Sequence, residues 1–312
     1  MTTRNHHLLI ILGSGPAGLS AALYVGRAAL NPMVLSGTYL YGQAALTSII
    51  ENYPGFPEGV SGEKLGQLFQ QQAELFGASI TYDQAIKVDL STRPFMIKTY
   101  SDQYDTDSLI IATGADPKRL NIPGEKELTG RGVSYCATCD GAFYRNKKVI
   151  VVGGGDSAIE EGIFLTRFAS SVTIVHRRDI LRAGAILEKR AKSNPKINFI
   201  WNSVVMEILG NDTVESGHIK NVKTGEEELI RTDGVFIFIG HSPNSNLFEG
   251  QLEMDEKGYI KVDNLMHTSV PGVFAAGEIA DPYFRQVVTS AGMGAAAGIQ
   301  ALHYLESLGE SK

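Results

Sequence analysis

Cysteine is almost missing from this 312-residue chain, which holds two, Cys136 and Cys139. So few thiols exclude a secreted disulfide framework. They supply at most half a zinc site, and neither a second Cys pair nor an H-x3-5-H spacing provides the other ligands. No metal is therefore expected. An excess of positive charge is missing too. With 28 basic against 34 acidic residues the net charge is −6, and no long Lys/Arg run interrupts the sequence. That balance argues against nucleic acid as a partner. Long apolar runs are absent as well. The longest early one, "LLIIL" at 8–12, is too short for a membrane span or a signal-peptide core, and it ends at Gly13. A buried strand is the better reading, and a cytoplasmic location is expected.

What is present is an ordinary globular composition, 43% hydrophobic and 20% charged. Its length favours two domains over one. Both cysteines lie three apart in "VSYCATCDGAF" (133–143), and "VIVVGGGDSA" (149–158) follows closely. A C-x-x-C pair without further metal ligands points to redox chemistry, because such a pair at a helix start lowers a cysteine pKa and favours the nucleophilic thiolate.

The segment after the cysteines has an echo near the N-terminus. "LLIILGSGPAG" (8–18) and "VIVVGGGDSA" both run an apolar strand into Gly-x-Gly-x-x-Gly/Ala. Each continues through a small-residue helical stretch to a second apolar strand, "PMVL" at 32–35 and "SVTIV" at 171–175. A second echo pairs "TDSLIIATG" (106–114) with "TDGVFIFIG" (232–240). One such glycine pattern is weak evidence; two in matched strand–turn–helix–strand context form a strong dinucleotide-binding signal. The first glycine permits the tight turn, the second lets a pyrophosphate approach, and the third position lets helix pack on strand. The helix N-terminus then offers free N–H groups to the phosphates. Pro16 suits the first helical position.

Charge distinguishes the copies. Neither carries the usual acidic residue at the end of its second strand. The first offers neutral "SGT" (36–38); the second offers "HRRDILR", with His176, Arg177, Arg178 and Arg182. Guanidinium forks suit a 2′-phosphate. NADPH is therefore expected on Gly153, Gly154, Gly155, Asp156, Ser157 and Ala158 together with that basic group. The first copy is expected to take a ligand lacking the phosphate, most simply FAD. Turn-rich "GADPKRLNIPGEKELTGRG" (114–132) and "GHSPNSNLFEG" (240–250) read as linkers. Residues 1–116 and 246–312 are thus expected to form one discontinuous FAD-binding domain, with "GVFAAGE" (272–278) as a buried strand. Residues 117–245 form an inserted NADPH-binding domain that carries the C-x-x-C. Because thiols and nucleotide turn share that insert, it is expected to rotate about the two linkers. A cross-link between the domains should then stop turnover while sparing one half-reaction.

The motifs in order, "GSGPAG" (13–18), "ENYPGFP" (51–57), "IIATGA" (110–115), "CATCDGAFYRNK" (136–147), "GGGDSAIEE" (153–161), "HRRDILRA" (176–183), "IGHSPN" (239–244) and "PGVFAAGEIADPYFRQVVTSAG" (271–292), resemble the low-molecular-weight, bacterial-type NADPH-dependent thioredoxin reductases over nearly the whole chain. That resemblance implies an α/β fold of two Rossmann-like domains, one inserted in the other, of the class II pyridine nucleotide-disulfide oxidoreductase type. It also implies one FAD per subunit, a homodimer, and thioredoxin as protein substrate. Carried onto matching positions, FAD lies on Gly13, Ser14, Gly15, Pro16 and Ala17. Further contacts come from Ser36, Gly37, Gly42, Gln43 and Asn52, and from Thr113 and Gly114. Gly277, Glu278, Arg285, Gln286 and Val287 close the site. Cys139 faces the flavin, Cys136 attacks thioredoxin, and Asp140 is the acid–base partner. Two positions depart from the pattern. Tyr41 stands where a glycine is usual; a ring there could restrict or stack near the flavin, and a neutral change is the alternative. Glu278 replaces an aspartate and reaches one methylene further. Flavin disulfide reductases fed by ferredoxin, or serving a peroxidase partner, share parts of the pattern, and a sensor without turnover would leave "CATCD" idle.

Overall fold

The computed structural model describes residues 5–37, 39–47 and 49–310. The chain divides into two units, Met1–Asp116 with Ser242–Lys312, and Pro117–His241. The second crossing comes at 241/242, four residues before the expected 245/246. Residues 242–245 stay with the first unit because Asn244 pairs back onto the 113–114 turn: its amide donates to Gly114 O (3.0 Å) and its side chain to Thr113 O (3.0 Å).

The first unit opens with β1 (Asn5–Leu12), α1 (Pro16–Arg27) and β2 (Met33–Leu35). It continues through α2 (Gly62–Leu75), β3 (Ser79–Thr81), β4 (Ala85–Asp89), β5 (Phe95–Thr99), β6 (Gln103–Ile111) and β7 (Ala115–Pro117). The second unit holds β8 (Val133–Ser134), α3 (Ala137–Asp140), β9 (Lys148–Val152), α4 (Asp156–Leu165), β10 (Ser171–His176), α5 (Ala185–Lys192) and β11 (Ile197–Trp201). There follow β12 (Ser203–Leu209), β13 (Ser216–Asn221), β14 (Glu227–Arg231), β15 (Gly234–Ile237) and β16 (His241–Pro243). Back in the first unit come β17 (Val273–Ala275) and α6 (Val287–Glu310). Among the described residues no helix is long and apolar enough to cross a membrane.

Each unit is built on a parallel sheet with the same wiring. The first runs β3-β2-β1-β6, with β17 parallel to the end of β6 and β5-β4 antiparallel to its start. The second runs β11-β10-β9-β15-β8. Both central strands are apolar on both faces, as a sheet covered on two sides requires. Ile10 and Leu12 of β1 enter one core, and Leu9 and Ile11 the other. Val149 and Val151 of β9 enter one core, and Ile150 and Val152 the other. Each such side chain contributes about 1.5–3 kcal/mol on burial. The antiparallel meander joins the first sheet but stands apart in the second unit, as the three-stranded β12-β13-β14.

Helix α1 lies close on α6, and small residues make the approach possible. A Cβ at Gly294 would fall 2.0 Å from Ala17 O, and one at Gly298 would fall 3.0 Å from Ala21 O. This packing brings the segment before α6 to the start of α1, where the first glycine turn lies.

Candidate functional site

The two glycine turns are built alike. Gly13 N donates to Leu35 O (2.8 Å) and Gly153 N to Val175 O (3.2 Å), so each turn hangs from the end of its second strand. Gly13 (φ +108°) and Gly153 (φ +149°) need glycine both for backbone angle and for space, since a Cβ would lie 2.3 Å from Ala112 O or 2.5 Å from Phe238 O. Helix α1 starts at Pro16 with Gly15 as its N-cap, and α4 starts at Asp156 with Gly155 as its N-cap. No side chain caps either helix start, so the first N–H groups remain available to phosphate oxygens. At Gly15 a Cβ would find only Gly42 Cα, 4.0 Å away. The surface over that glycine is open, which is the cradle a pyrophosphate requires.

Around the first turn, Ser14 Oγ donates to Ser36 O (3.2 Å) and accepts from Tyr41 N (3.3 Å). Ser36 and Gly37 are held by the next strand, through Ser36 N to Thr81 O (3.0 Å) and Gly37 N to Asp83 O (3.1 Å). Thr38, the last residue of the neutral strand end, lies outside the described residues. Gly42 and Gln43 open a 3-10 turn, where a Cβ at Gly42 would come 3.3 Å from Gly15 Cα. Gln43 Nε2 donates to Asp116 Oδ1 (2.5 Å), and Asn52 Nδ2 to Gln286 Oε1 (3.1 Å). Thr113 Oγ1 donates to Asn244 O (2.9 Å), and Gly114 takes φ +70° with open space at its Cα. The carried-over positions of this unit thus lie on strand ends, loops and helix starts, several of them joined by hydrogen bonds.

Tyr41 lines a small cavity beside the first turn together with Ser14 and Pro16. Its backbone is left-handed (φ +63°) and its ring turns onto α2, where a Cβ at Gly66 would fall 2.3 Å from Tyr41 Cγ. No Tyr41 atom lies within 4 Å of a Cβ position at Gly15. Glu278 follows β17, half-buried, and its carboxyl is pushed up to about 7, chiefly by burial; Arg285 works against that shift while Asp281 and Asp116 add to it. Arg285 also takes a left-handed backbone (φ +52°) just before Val287 opens α6.

The side chain that shapes this last segment is one that sequence reasoning passes over. Asp281, buried, accepts from Tyr283 N (2.9 Å), Phe284 N (3.0 Å) and Arg285 N (3.2 Å). Its Asp-Pro dipeptide is a turn signal that would have found it.

The basic group of the second turn splits in two. Arg177, Arg178 and Arg182 are exposed. His176 is buried, its Nε2 3.1 Å from Ile180 O, and a Cβ at Gly154 would meet its imidazole Nδ1 at 2.3 Å. Burial first, then the neighbouring arginines, lower its pKa. His176 therefore supports the glycine turn from beneath as a neutral ring, while the three arginines present the charge. The 177–184 loop is stitched to that turn by Arg182 N to Gly154 O (2.7 Å) and Gly184 N to Asp156 Oδ1 (2.8 Å). Arg182 Nη2 lies 3.9 Å from a Cβ position at Gly155. Ser157 and Ala158 occupy the first turn of α4.

Cys136 and Cys139 are joined as a disulfide, with Cα atoms 5.3 Å apart. Cys136 caps the single turn α3, and its Sγ accepts from Cys139 N (3.2 Å) and lies 3.3 Å from Thr138 Oγ1. An amide aimed at that sulfur favours its thiolate once the bond opens. Burial pushes the Asp140 carboxyl up, against a hydrogen bond from Ser134. Ahead of the pair, buried Glu125 accepts from Leu120 N (2.9 Å), Asn121 N (2.6 Å) and Tyr135 OH (2.8 Å), which ties the linker to the residue before Cys136.

Comparison with known proteins agrees with this geometry. The family model of pyridine nucleotide-disulphide oxidoreductases matches residues 7–294. A thioredoxin reductase of Chlamydia pneumoniae is 48% identical over 96% of this chain and 99% of its own length. One from Coxiella burnetii is 45% identical over 100% of both chains. Among solved structures, the thioredoxin reductase of Streptococcus pyogenes is 44% identical with a TM-score of 0.93, covering 98% of this chain and 100% of its own. The chain belongs to the pyridine nucleotide-disulphide oxidoreductase family and, within it, to the bacterial-type thioredoxin reductases, flavoproteins with a redox-active disulfide.

Proposed function

We propose that this protein takes a hydride from NADPH and passes two electrons by way of FAD to the Cys136–Cys139 disulfide and on to the disulfide of thioredoxin. The observation that carries the reading is the conjunction, within residues 117–241, of a closed C-x-x-C disulfide and a glycine turn whose strand end presents three exposed arginines. A reductase fed by ferredoxin has no need of those arginines, and a sensor without turnover has no need of the disulfide.

FAD belongs on the first turn and NADPH on the second. Open space at Gly15, the uncapped start of α1 and the neutral Ser36–Gly37 strand end support the former. The uncapped start of α4 and the guanidinium groups of Arg177, Arg178 and Arg182 support the latter. When bound, the flavin supplies two-electron transfer between nicotinamide and disulfide.

The chain's own groups manage the rest. As the disulfide opens, Asp140 gives a proton to the Cys139 sulfur, and the Cys136 sulfur, held by the Cys139 amide, remains as thiolate. Cys136 attacks one sulfur of thioredoxin, forming a mixed disulfide and expelling thioredoxin's other sulfur as a thiolate. Cys139, its proton returned to Asp140, then attacks Cys136. The protein disulfide closes and thioredoxin leaves with both electrons. The net exchange consumes one NADPH and one proton per thioredoxin disulfide. Disulfide and nucleotide turn belong to one unit that the chain enters and leaves once each, through β7 and β16, so rotation of that unit is part of this reading. A cytoplasmic homodimer completes it.

The test is anaerobic mixing of purified yellow protein with NADPH, NADH or reduced ferredoxin. NADPH alone should bleach the flavin absorbance within the turnover time. Bleaching by ferredoxin without response to NADPH would reject the donor assignment.

A further inference from the structure

Ser134 ends β8, and its side chain has no place in the reaction scheme above. It is nevertheless 4% exposed and makes a short hydrogen bond beside the disulfide. Its hydroxyl donates to Asp140 Oδ2 at 2.6 Å and accepts from Cys136 N at 3.1 Å, with Cys136 O at 3.2 Å. One buried oxygen thus touches the amide of the first cysteine and the carboxylate that follows the second. Its own position is fixed by the sheet, where Ser134 pairs with Phe236 of β15.

We propose that Ser134 is a positioning residue for proton transfer, aiming the Asp140 carboxyl at the redox pair while anchoring the backbone of Cys136. The proposal rests on the reading of Asp140 as the acid. Physically, a carboxylate on a one-turn helix has two free side-chain torsions. A single short hydrogen bond from a strand residue removes that freedom, so the proton is delivered from a fixed point. A hydroxyl donating to the carboxylate also favours its ionised form and holds its pKa below the value burial alone would set. The surroundings add little competing charge. Tyr144, on the 3-10 turn after α3, faces Asp140, and its phenol, pushed up to about 12 by burial, Asp140 and Asp233, stays neutral. From α4 and the turn after it, Leu165, Phe164 and Phe168 pack on Gly141, all apolar. The Asp140 shift itself comes from burial and the Ser134 hydrogen bond, with no neighbouring charge among its causes.

The test is the pH profile of kcat with thioredoxin, measured on full-length holoenzyme with flavin content checked by absorbance. Asp140→Asn should abolish one limb of the profile, which identifies that limb as the Asp140 titration; survival of both limbs would reject the Asp140 reading itself. In Ser134→Ala that same limb should move upward by about 0.4–1 pH unit, the worth of one ordinary hydrogen bond. Its plateau kcat should fall, while flavin bleaching by NADPH keeps the wild-type rate. Ser134→Thr, which keeps the hydroxyl, should restore the limb to its wild-type place. An unmoved limb in Ser134→Ala, or an equal shift in Ser134→Thr, overturns the proposal for Ser134. If the alanine protein loses its flavin, Ser134→Gly removes the same hydroxyl and carries the same two outcomes.

Discussion

The two glycine turns share a wiring plan and differ in what lies under and beyond them. In the first, helix and strand touch so closely that a Cβ at Gly18 would fall 1.9 Å from Gly13 O; in the second, Ala158 holds the equivalent place. At the second position of the pattern the first turn has Ser14, whose hydroxyl donates to Ser36 O, and the second has Gly154. Beneath the second turn's Gly154 sits the buried imidazole of His176. The first strand ends in Ser36 and Gly37, the second in exposed arginines. On the proposed reading, the duplicated scaffold sets where phosphates bind, and a few residues at the strand ends decide which dinucleotide each copy takes.

The harshest way to break the comparison is to exchange the third positions. Gly18→Ala should destabilise the first unit by about 3 kcal/mol or more and leave no flavin on the purified protein, because backbone has to move. The reverse change, Ala158→Gly, should cost about 0.5–1 kcal/mol and keep the flavin. Denaturant unfolding and flavin absorbance read both, and a yellow, stable Gly18→Ala protein would refute the close-contact account. Next in size is the charge difference. Replacing Arg177 and Arg178 with alanine should raise the KM for NADPH about 10- to 150-fold per lost contact, with NADH nearly unaffected. Unchanged NADPH kinetics would remove the assignment of the second copy. The smallest effect concerns Glu278, on the first unit alone. Its folded pKa of about 7 stands above the ordinary 4.5, so the folded chain binds the extra proton between those values. Stability should therefore fall as pH rises through that window, and Glu278→Gln should flatten the trend in flavin-stripped protein. A parallel slope in both proteins would locate the titration elsewhere.

Much of this was legible because glycine requirements are positional. Gly13 and Gly153 each need a left-handed angle and the absence of a Cβ, and those needs leave the same spacing twice in the sequence. Apolar runs such as 8–12 and 149–152 read as buried strands; the second is buried throughout, and the first from Leu9 on, with Leu8 exposed. What escaped notice depends on contacts between distant residues. His176 sits in a basic string, yet its ring packs inward under Gly154. Tyr41 fills a notch that exists only because residue 66 of α2 is glycine. Ser134 carries no sequence signal, since a serine in a strand acquires meaning only from the carboxylate opposite. The meander of β12-β13-β14 has no glycine punctuation of the phosphate-binding kind and so left no motif to find.

The central claim is that electrons leave this protein through the sulfur of Cys136. Cys136→Ser should be purified with its flavin and mixed with NADPH and oxidised thioredoxin beside the wild type. The account predicts that NADPH bleaches the flavin in both, while only the wild type turns thioredoxin over. Thioredoxin reduction at an undiminished rate by Cys136→Ser would contradict it.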